Sequence, residues 1–345
     1  MNKILFSLLL MSCVPAWSAV CNSAQIDEII APATAQNHSV EVQCTAHLPH
    51  NSTVSKRLYF SGSQASDVAL HCNGSTIAPT HTQGGDSVVI RSVQHANGQW
   101  SRPENIALNA CRVHGSVRIL GMGANGEAEK VKLSSQQQGH TERAQAAAPR
   151  AIHLNNMTII GQNRVPLYLA PGVNGVRVSG SRITGKSSSV AIYLDAESGN
   201  NHFTHNTIDT QTASRELIAI DGSANNVFEN NRFSSLNRGG IYFYRNCGEG
   251  GTIRHQTPSG NTVRNNVFFY RKYNGKLPAV WLGARNGNRS YCEADSGYAF
   301  GSSSDNRDFA DNNLIENNKI HKLSPQKMLR DHGNGNRIVG NVTVN

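Results

Sequence analysis

The chain has 345 residues, of which 32 are Lys or Arg and 23 are Asp or Glu, giving a net charge of +9 with histidine neutral. Excess positive charge favours an anionic partner, but no basic run with interleaved aromatics appears, which argues against nucleic acid. Beyond the first residues no apolar stretch approaches the roughly 20 residues that a membrane helix needs.

The first 18 residues read as an export signal. Lys3 supplies the positive end, Ile4 to Met11 the apolar centre, and Ala16-Trp17-Ser18 a small-x-small cleavage site. A lipoprotein signal at Leu10-Met11-Ser12-Cys13 ranks second because its leader would be unusually short. Cleavage removes Lys3, lowers the charge from +9 to +8, and places the protein in the periplasm or outside the cell. Six cysteines then remain: Cys21, Cys44, Cys72, Cys111, Cys247 and Cys292. An even number suits disulfides in an oxidising compartment, and no C-x-x-C pair points to zinc or redox chemistry. Six cysteines admit 15 connectivities. Cys247 with Cys292 is the one pairing favoured, because each sits in a long insertion.

Residues 19–56 are expected to cap the fold, with a helix over 22–36. Asn22 or Ser23 can N-cap it, and Ile26, Ile29 and Ile30 fall on one face. Such a helix covers an end that would otherwise expose strand edges. From Arg57 onward short strands follow: Arg57-Leu58-Tyr59-Phe60, Val68-Ala69-Leu70, Val88-Val89-Ile90, Ile106-Ala107-Leu108 and Val117-Arg118-Ile119-Leu120. Ser134 to Arg150 reads as a long polar loop whose His140, Glu142 and Arg143 suit a charged substrate or plain solvation about equally.

Between 165 and 285 a strand pattern repeats. Leu167-Tyr168-Leu169-Ala170, Ile192-Tyr193-Leu194-Asp195, Ile218-Ala219-Ile220-Asp221, Ile241-Tyr242-Phe243-Tyr244 and Val280-Trp281-Leu282-Gly283 start 25, 26, 23 and 39 residues apart. Side chains alternate faces along a strand. With Leu169, Leu194, Ile220, Phe243 and Leu282 inward, Tyr168, Tyr193, Ala219, Tyr242 and Trp281 share the outer face, followed by Asp195, Asp221 and Tyr244. A second register places Asn or Gly, or His205, three residues before the apolar anchors Ile159, Ile183, Ile208, Phe233, Phe268 and Ile320. Asn tolerates the left-handed conformation of tight turns, and stacked Asn side chains can bond from coil to coil. A period in the twenties with several short strands marks a stacked coil.

The run N-N-V-F-E-N-N-R-F at 225–233 and its relatives resemble the repeats of right-handed parallel β-helix proteins of the pectate-lyase-like superfamily. His71-Cys72-Asn73-Gly74-Ser75-Thr76-Ile77 resembles a first full coil in such proteins. The resemblance covers about residues 60–345 and implies an all-β, single-stranded right-handed parallel β-helix over 57–345, with long loops on one face; the chain is expected to be a monomer. It is weak for activity, since that superfamily holds lyases, hydrolases, epimerases, esterases and non-catalytic proteins.

Two insertions interrupt the period, about ten residues between Phe233 and Phe268 and about twenty-seven between Phe268 and Ile320. The first carries Arg245, Cys247, Glu249, Arg254 and His255, and the second Arg285, Tyr291 and Cys292. Extra loops on one face of a coil stack commonly build the binding site, so both should overhang the outer face. Tyr168, Tyr193, Tyr242 and Trp281 are read there as platforms for sugar rings. Arg254, Glu249, Tyr291, Arg143 and His140 are further substrate contacts.

Asp195 and Asp221 occupy equivalent positions on adjacent rungs. They read as a glycosidase pair, as a Ca²⁺ site with Glu197, or as turn caps. A lyase must hold the substrate carboxylate with positive charge or Ca²⁺ and abstract the neighbouring proton. The resemblance implies an Arg or Lys base with Ca²⁺ on nearby acids, and Asp195, Asp221 and Arg245 look similar in arrangement. The expected activity is β-elimination on an acidic polysaccharide, with Arg245 or His255 as base, Tyr244 as acid and Arg285 beside them. A hydrolase, an epimerase or a non-catalytic glycan binder is the alternative. Arg330-Asp331-His332 gives only part of the epimerase D-P-H-D signature. Ser324-Pro325 opens a short helical turn.

Overall fold

The structure is a computed structural model that describes residues 18–81, 85–246, 249–270, 277–286 and 297–345. Its strands form three all-parallel sheets of ten, ten and eleven strands. Sheet one runs from Ser39–Glu41 to Leu329–Asp331, sheet two from Ala46–His47 to Arg337–Val339, and sheet three from Thr53–Val54 to Val342–Val344. Each turn of chain adds one strand to each sheet, so the fold is a β-helix of ten coils. The first coil begins at Ser39, earlier than the expected boundary at 57.

The alternation expected from the repeat holds. Leu169, Leu194, Ile220, Phe243 and Leu282 are fully buried, each removing a side chain whose burial contributes about 1.5–3 kcal/mol. On the outer face one column runs in register from Tyr59 through Val89, Arg118, Tyr168, Tyr193, Ala219, Tyr242 and Trp281 to Arg330.

The paired asparagines divide their work. The first residue of each pair turns the chain, with φ of 57° at His205, 56° at Asn230 and Asn265, and 55° at Asn317. The second forms a buried ladder, in which the Nδ2 groups of Asn206, Asn231, Asn266 and Asn318 donate to the Oδ1 of the next rung at 2.9–3.0 Å, ending at Asn341. A parallel ladder links Asn201, Asn226, Asn261, Asn313 and Asn336. Backbone groups turning inside the coil thus find partners that water cannot reach.

At the N-terminal end helix α1, Ser23–Ile30, shorter than the expected 22–36, is closed by Asn22 and Gln25 bonding each other's backbone N–H. Its Glu28 carbonyl accepts from the buried Lys56 ammonium at 2.8 Å. Disulfides join Cys21 to Cys44 and Cys72 to Cys111, whereas Cys247 and Cys292 lie outside the described residues. Ser134 to Arg150 is not the loop expected: it belongs to helices α2, Glu129–Ser135, and α3, His140–Ala147. The Ser324-Pro325 turn forms as helix α4, Pro325–Met328. No helix among the described residues is long and apolar enough to cross a membrane.

Candidate functional site

Four excursions leave the stack at the turn from sheet one to sheet two: residues 92–103, 121–149, 245–261 and 283–313. All leave the strand ends that follow the outer column, and the described part of the second insertion lies over it through Arg285 on Tyr244. Asp308 clamps two of them together, its buried carboxylate accepting from the backbone N–H of Arg245 at 2.9 Å and of Arg285 at 2.8 Å.

The aromatic column is therefore not an open platform. Tyr168 and Tyr242 retain only 6% and 8% of their exposure, while Tyr193 and Trp281 are half-buried. Arginines roof the rings: Arg118 lies 4.2 Å from the Tyr168 centroid, Arg285 3.9 Å from Tyr244, Arg215 5.4 Å from Tyr193 and Arg330 5.0 Å from Trp281. Guanidinium planes on aromatic faces gain from the ring quadrupole. The Trp281 indole N–H also donates to His332 Nδ1 at 3.3 Å.

Beneath this roof the acids are held by tyrosines one rung back. Tyr168 Oη donates to Asp195 Oδ2 at 2.5 Å, and Tyr193 Oη to Asp221 Oδ2 at 2.6 Å. Asp221 also accepts from the Asn246 side chain and backbone, both at 2.7 Å. Asp195 accepts from its neighbour's backbone, Ala196 N–H, at 2.8 Å, with the Arg254 guanidinium 3.8 Å away. Burial raises the Asp195 pKa, Arg254 opposes the rise, and Asp221 adds to it. Burial and the facing carboxylates push the phenols of Tyr168 and Tyr193 well above their ordinary range. Glu197 is fully buried in a left-handed turn, φ 62°. It accepts from the Thr141 hydroxyl and from the backbone N–H of His255 at 2.7 Å and Gln256 at 3.0 Å. Burial raises its pKa.

These contacts do not fit the expected Ca²⁺ site. The oxygens of Asp195, Asp221 and Glu197 are engaged by hydroxyl and N–H donors, and among the described residues no three His, Cys, Asp or Glu converge as ligands. Hard cations need several uncommitted oxygens.

The expected base and acid are committed elsewhere as well. Arg245 is buried and donates to the carbonyls of Asp305 at 2.7 Å and Arg307 at 2.9 Å, pinning the second insertion. Tyr244 is fully buried; its phenol donates to Glu216 Oε1 at 2.9 Å and accepts from Arg215. His255 Nε2 lies 2.7 Å from the Ser135 carbonyl, which makes that nitrogen the donor. His140 is buried with Nδ1 on Ser134 Oγ at 3.0 Å, and burial, with His255, Arg254 and Arg143 nearby, lowers its pKa to about 3. Arg143, half-buried, donates to the carbonyls of Ser134, Gln137 and Gln138 between α2 and α3. Arg254 lies buried with one donor on Gly126 O at 3.2 Å. Arg285 is half-buried and bonds Asn246 Oδ1 at 2.5 Å. The Glu249 side chain and Tyr291 lie outside the described residues.

Sequence reasoning did not place Arg118, Arg215, Glu216 or Asn246 at this face, and read Arg330 and His332 only as part of an epimerase signature. Extending the repeat one rung each way would have found two of them, since Val117-Arg118-Ile119 and Leu329-Arg330-Asp331 flank the column in register.

The coils and the loop-covered outer face define a right-handed parallel β-helix protein. Residues 123–275 match the family described as "Right handed beta helix region". No curated protein matches the chain. Among solved structures it is similar to tailspike protein 2 from Escherichia coli O157:H7 bacteriophage CAB120, at 11% identity and a TM-score of 0.38, covering 82% of this chain and 37% of that one. It is also similar to the GH136 lacto-N-biosidase from Eubacterium ramulus, at 10% identity and a TM-score of 0.39, over 87% and 49%. For the Dettilon tailspike protein the values are 11% and 0.34, over 88% and 56%. The chain thus spans 37–56% of the length of these structures, and what their names say of activity belongs to them.

Proposed function

We propose that the protein is exported and binds an acidic polysaccharide along the outer face of sheet one. The observation that carries this is the row of arginines lying on the aromatic column: Arg118 on Tyr168, Arg285 on Tyr244 and Arg330 on Trp281. All three arginines are only partly buried. Arg118 stands on the fourth coil and Arg285 and Arg330 at the ninth and tenth; across rungs about 4.8 Å apart they present cations towards both ends of the face, suited to a long repeating anion, and the net charge of +9 agrees. The two disulfides suit an oxidising compartment outside the cytoplasm.

β-Elimination has less support. Its base and acid candidates, Arg245 and Tyr244, are spent on carbonyls and on Glu216. Glycoside hydrolysis is the second reading, favoured by Asp195 and Asp221 at the ends of paired strands on adjacent rungs, since two neighbouring carboxylates can serve as acid and as base or nucleophile.

Titration with polygalacturonate, alginate and hyaluronan tests the binding. Saturable binding that weakens with salt is expected, together with weakening in Arg285→Ala and Arg330→Ala. Failure to bind any acidic polymer at low salt overturns it. End-group analysis separates the chemistries: new reducing ends lost in Asp195→Asn support hydrolysis, and ultraviolet-absorbing unsaturated ends would restore the lyase.

A further inference from the structure

A second cleft lies on the same side of the stack, nearer the N-terminal end, between the excursions of the third and fourth coils. Its volume is about 820 Å³, within the roughly 300–1,000 Å³ of ligand clefts. One wall is a two-stranded antiparallel hairpin that pairs Val93 with Ser101 and Gln94 with Trp100. The opposite wall is α3, through Ala146 and Ala147.

The hairpin stands off the core, yet it is ordered by its own bonds. Gln94 Nε2 donates to Gly98 O at 2.9 Å, and the Gln99 N–H to Asn97 Oδ1 at 3.0 Å. Ser101 is tied to Ser63, whose backbone N–H donates to Ser101 Oγ at 2.8 Å. This wall holds a half-buried tryptophan, Trp100, at the cleft.

The guanidinium and carboxylate groups that line the cleft, on Arg102, Glu104 and Arg143, are already engaged within the protein. Arg102 donates to Glu104 at 2.8 Å and to the last carbonyls of α3, Gln145 O at 3.0 Å and Ala146 O at 2.7 Å. Glu104 is bridged on its other oxygen by Arg150 at 2.7 Å, and these partners hold its pKa below the usual range against the opposing effect of burial. Arg143 is held by three carbonyls. What the cleft offers a ligand is an indole, the apolar side chains of Met122, Ala146 and Ala147, the His95 imidazole and neutral polar groups on Gln99 and Ser101.

From this we infer that the cleft is a glycan subsite for uncharged sugar rings, with Trp100 as the stacking platform. Sugars present apolar C–H faces to an aromatic plane and hydroxyls to the rim, and need no ionic partner. The inference rests on the proposed function only for the ligand's being a glycan. Helix α3 is the wall shared with the acids, since its Thr141 and Gln145 bond Glu197, so one chain with neutral and acidic units could occupy both places.

The test is a neutral-glycan array, followed by calorimetry with a neutral hexasaccharide that binds. Binding is expected, at least ~10-fold weaker in Trp100→Ala, in line with aromatic hot spots of about 1.4 kcal/mol or more. The ammonium of Lys130 lies 5.2 Å from the Trp100 ring, so Lys130→Ala should leave neutral binding unchanged or tighter. A loss in Lys130→Ala, or affinity for acidic glycans alone, overturns the uncharged assignment. No neutral ligand on the array, or a Trp100→Ala protein that binds as the parent does, overturns the subsite. Polygalacturonate titration of the same variants reads the arginine column separately, so either proposal can fail while the other stands. Unchanged thermal unfolding of Trp100→Ala, expected for a hairpin outside the core, excludes misfolding as the cause.

Discussion

Tyr193 donates its phenolic hydrogen to Asp221 at 2.6 Å across one rung of the coil, and Tyr168 repeats the step to Asp195 at 2.5 Å. The aromatic column thus reaches downstream to hold the carboxylates, which ties the ring positions and the acid positions into one lattice. The rings expected to receive substrate serve first as hydrogen-bond donors.

Removing these hydroxyls should therefore cost stability. Asp221 keeps two Asn246 donors after Tyr193→Phe, whereas Asp195 keeps only the Ala196 N–H and a distant Arg254 after Tyr168→Phe. Hydrogen bonds to charged groups contribute about 1.5–3 kcal/mol. Urea unfolding should place Tyr168→Phe at the upper end of that range and Tyr193→Phe below it; equal losses would contradict the lattice.

Acid should destabilise the protein through His140. Its pKa falls from 6.5 unfolded to about 3 folded, so between those values the unfolded chain binds more protons and stability drops as pH falls. Asp195 and Glu197 act the other way, because their raised folded pKa values add stability when they protonate. Comparing pH profiles of unfolding should show a shallower loss from pH 6.5 toward pH 3 in His140→Gln than in the parent. Parallel profiles would remove His140 from the account.

The two asparagines of one pair should respond differently. Asn231→Ala removes the Oδ1 acceptor of Asn206 N–H and Nδ2 and the donor to Phe203 O, all buried. Orphaned buried groups cost about 1–3 kcal/mol each, so a loss of about 3 kcal/mol or more is expected. Asn230 sits at φ 56°, where glycine is at ease, so Asn230→Gly should stay within about 1 kcal/mol. Chemical denaturation of both variants checks the contrast.

Cys72 and Cys111 join the second coil to the third across a separation of 39 residues. Replacing both with alanine should cost about 2–4 kcal/mol, read as a lower unfolding midpoint under non-reducing conditions. Reductant, which opens both disulfides, should bring the parent's midpoint to that of the unreduced variant or below it, the excess reading Cys21–Cys44.

Most of the coil was legible in the sequence. The apolar-any-apolar strands at 167, 192, 218, 241 and 280 fall in register as their spacing implied, and the Asn pairs turn and stack as their chemistry implied. Ser134 to Arg150 misled because its helices bury few residues and are held by distant groups, such as Gln145 on Glu197. The internal partners of Arg245 and Tyr244 were not legible for a related reason. Residue type and rung show that a charge is near the face, but not whether a carbonyl from another excursion has already taken it.

Local rules explain this division. Strand alternation needs only two residues, and the left-handed Asn turn only one, so sequence alone settled which side chains point inward and how far the coils repeat. The pairing of charge depends on excursions that meet only after the stack is built: Arg254 bonds Gly126 across 128 residues, and His255 meets Ser135 across 120. Such contacts leave no periodic trace, and only the assembled coils decided that the aromatic column would lie under arginines with its acids bound to tyrosines.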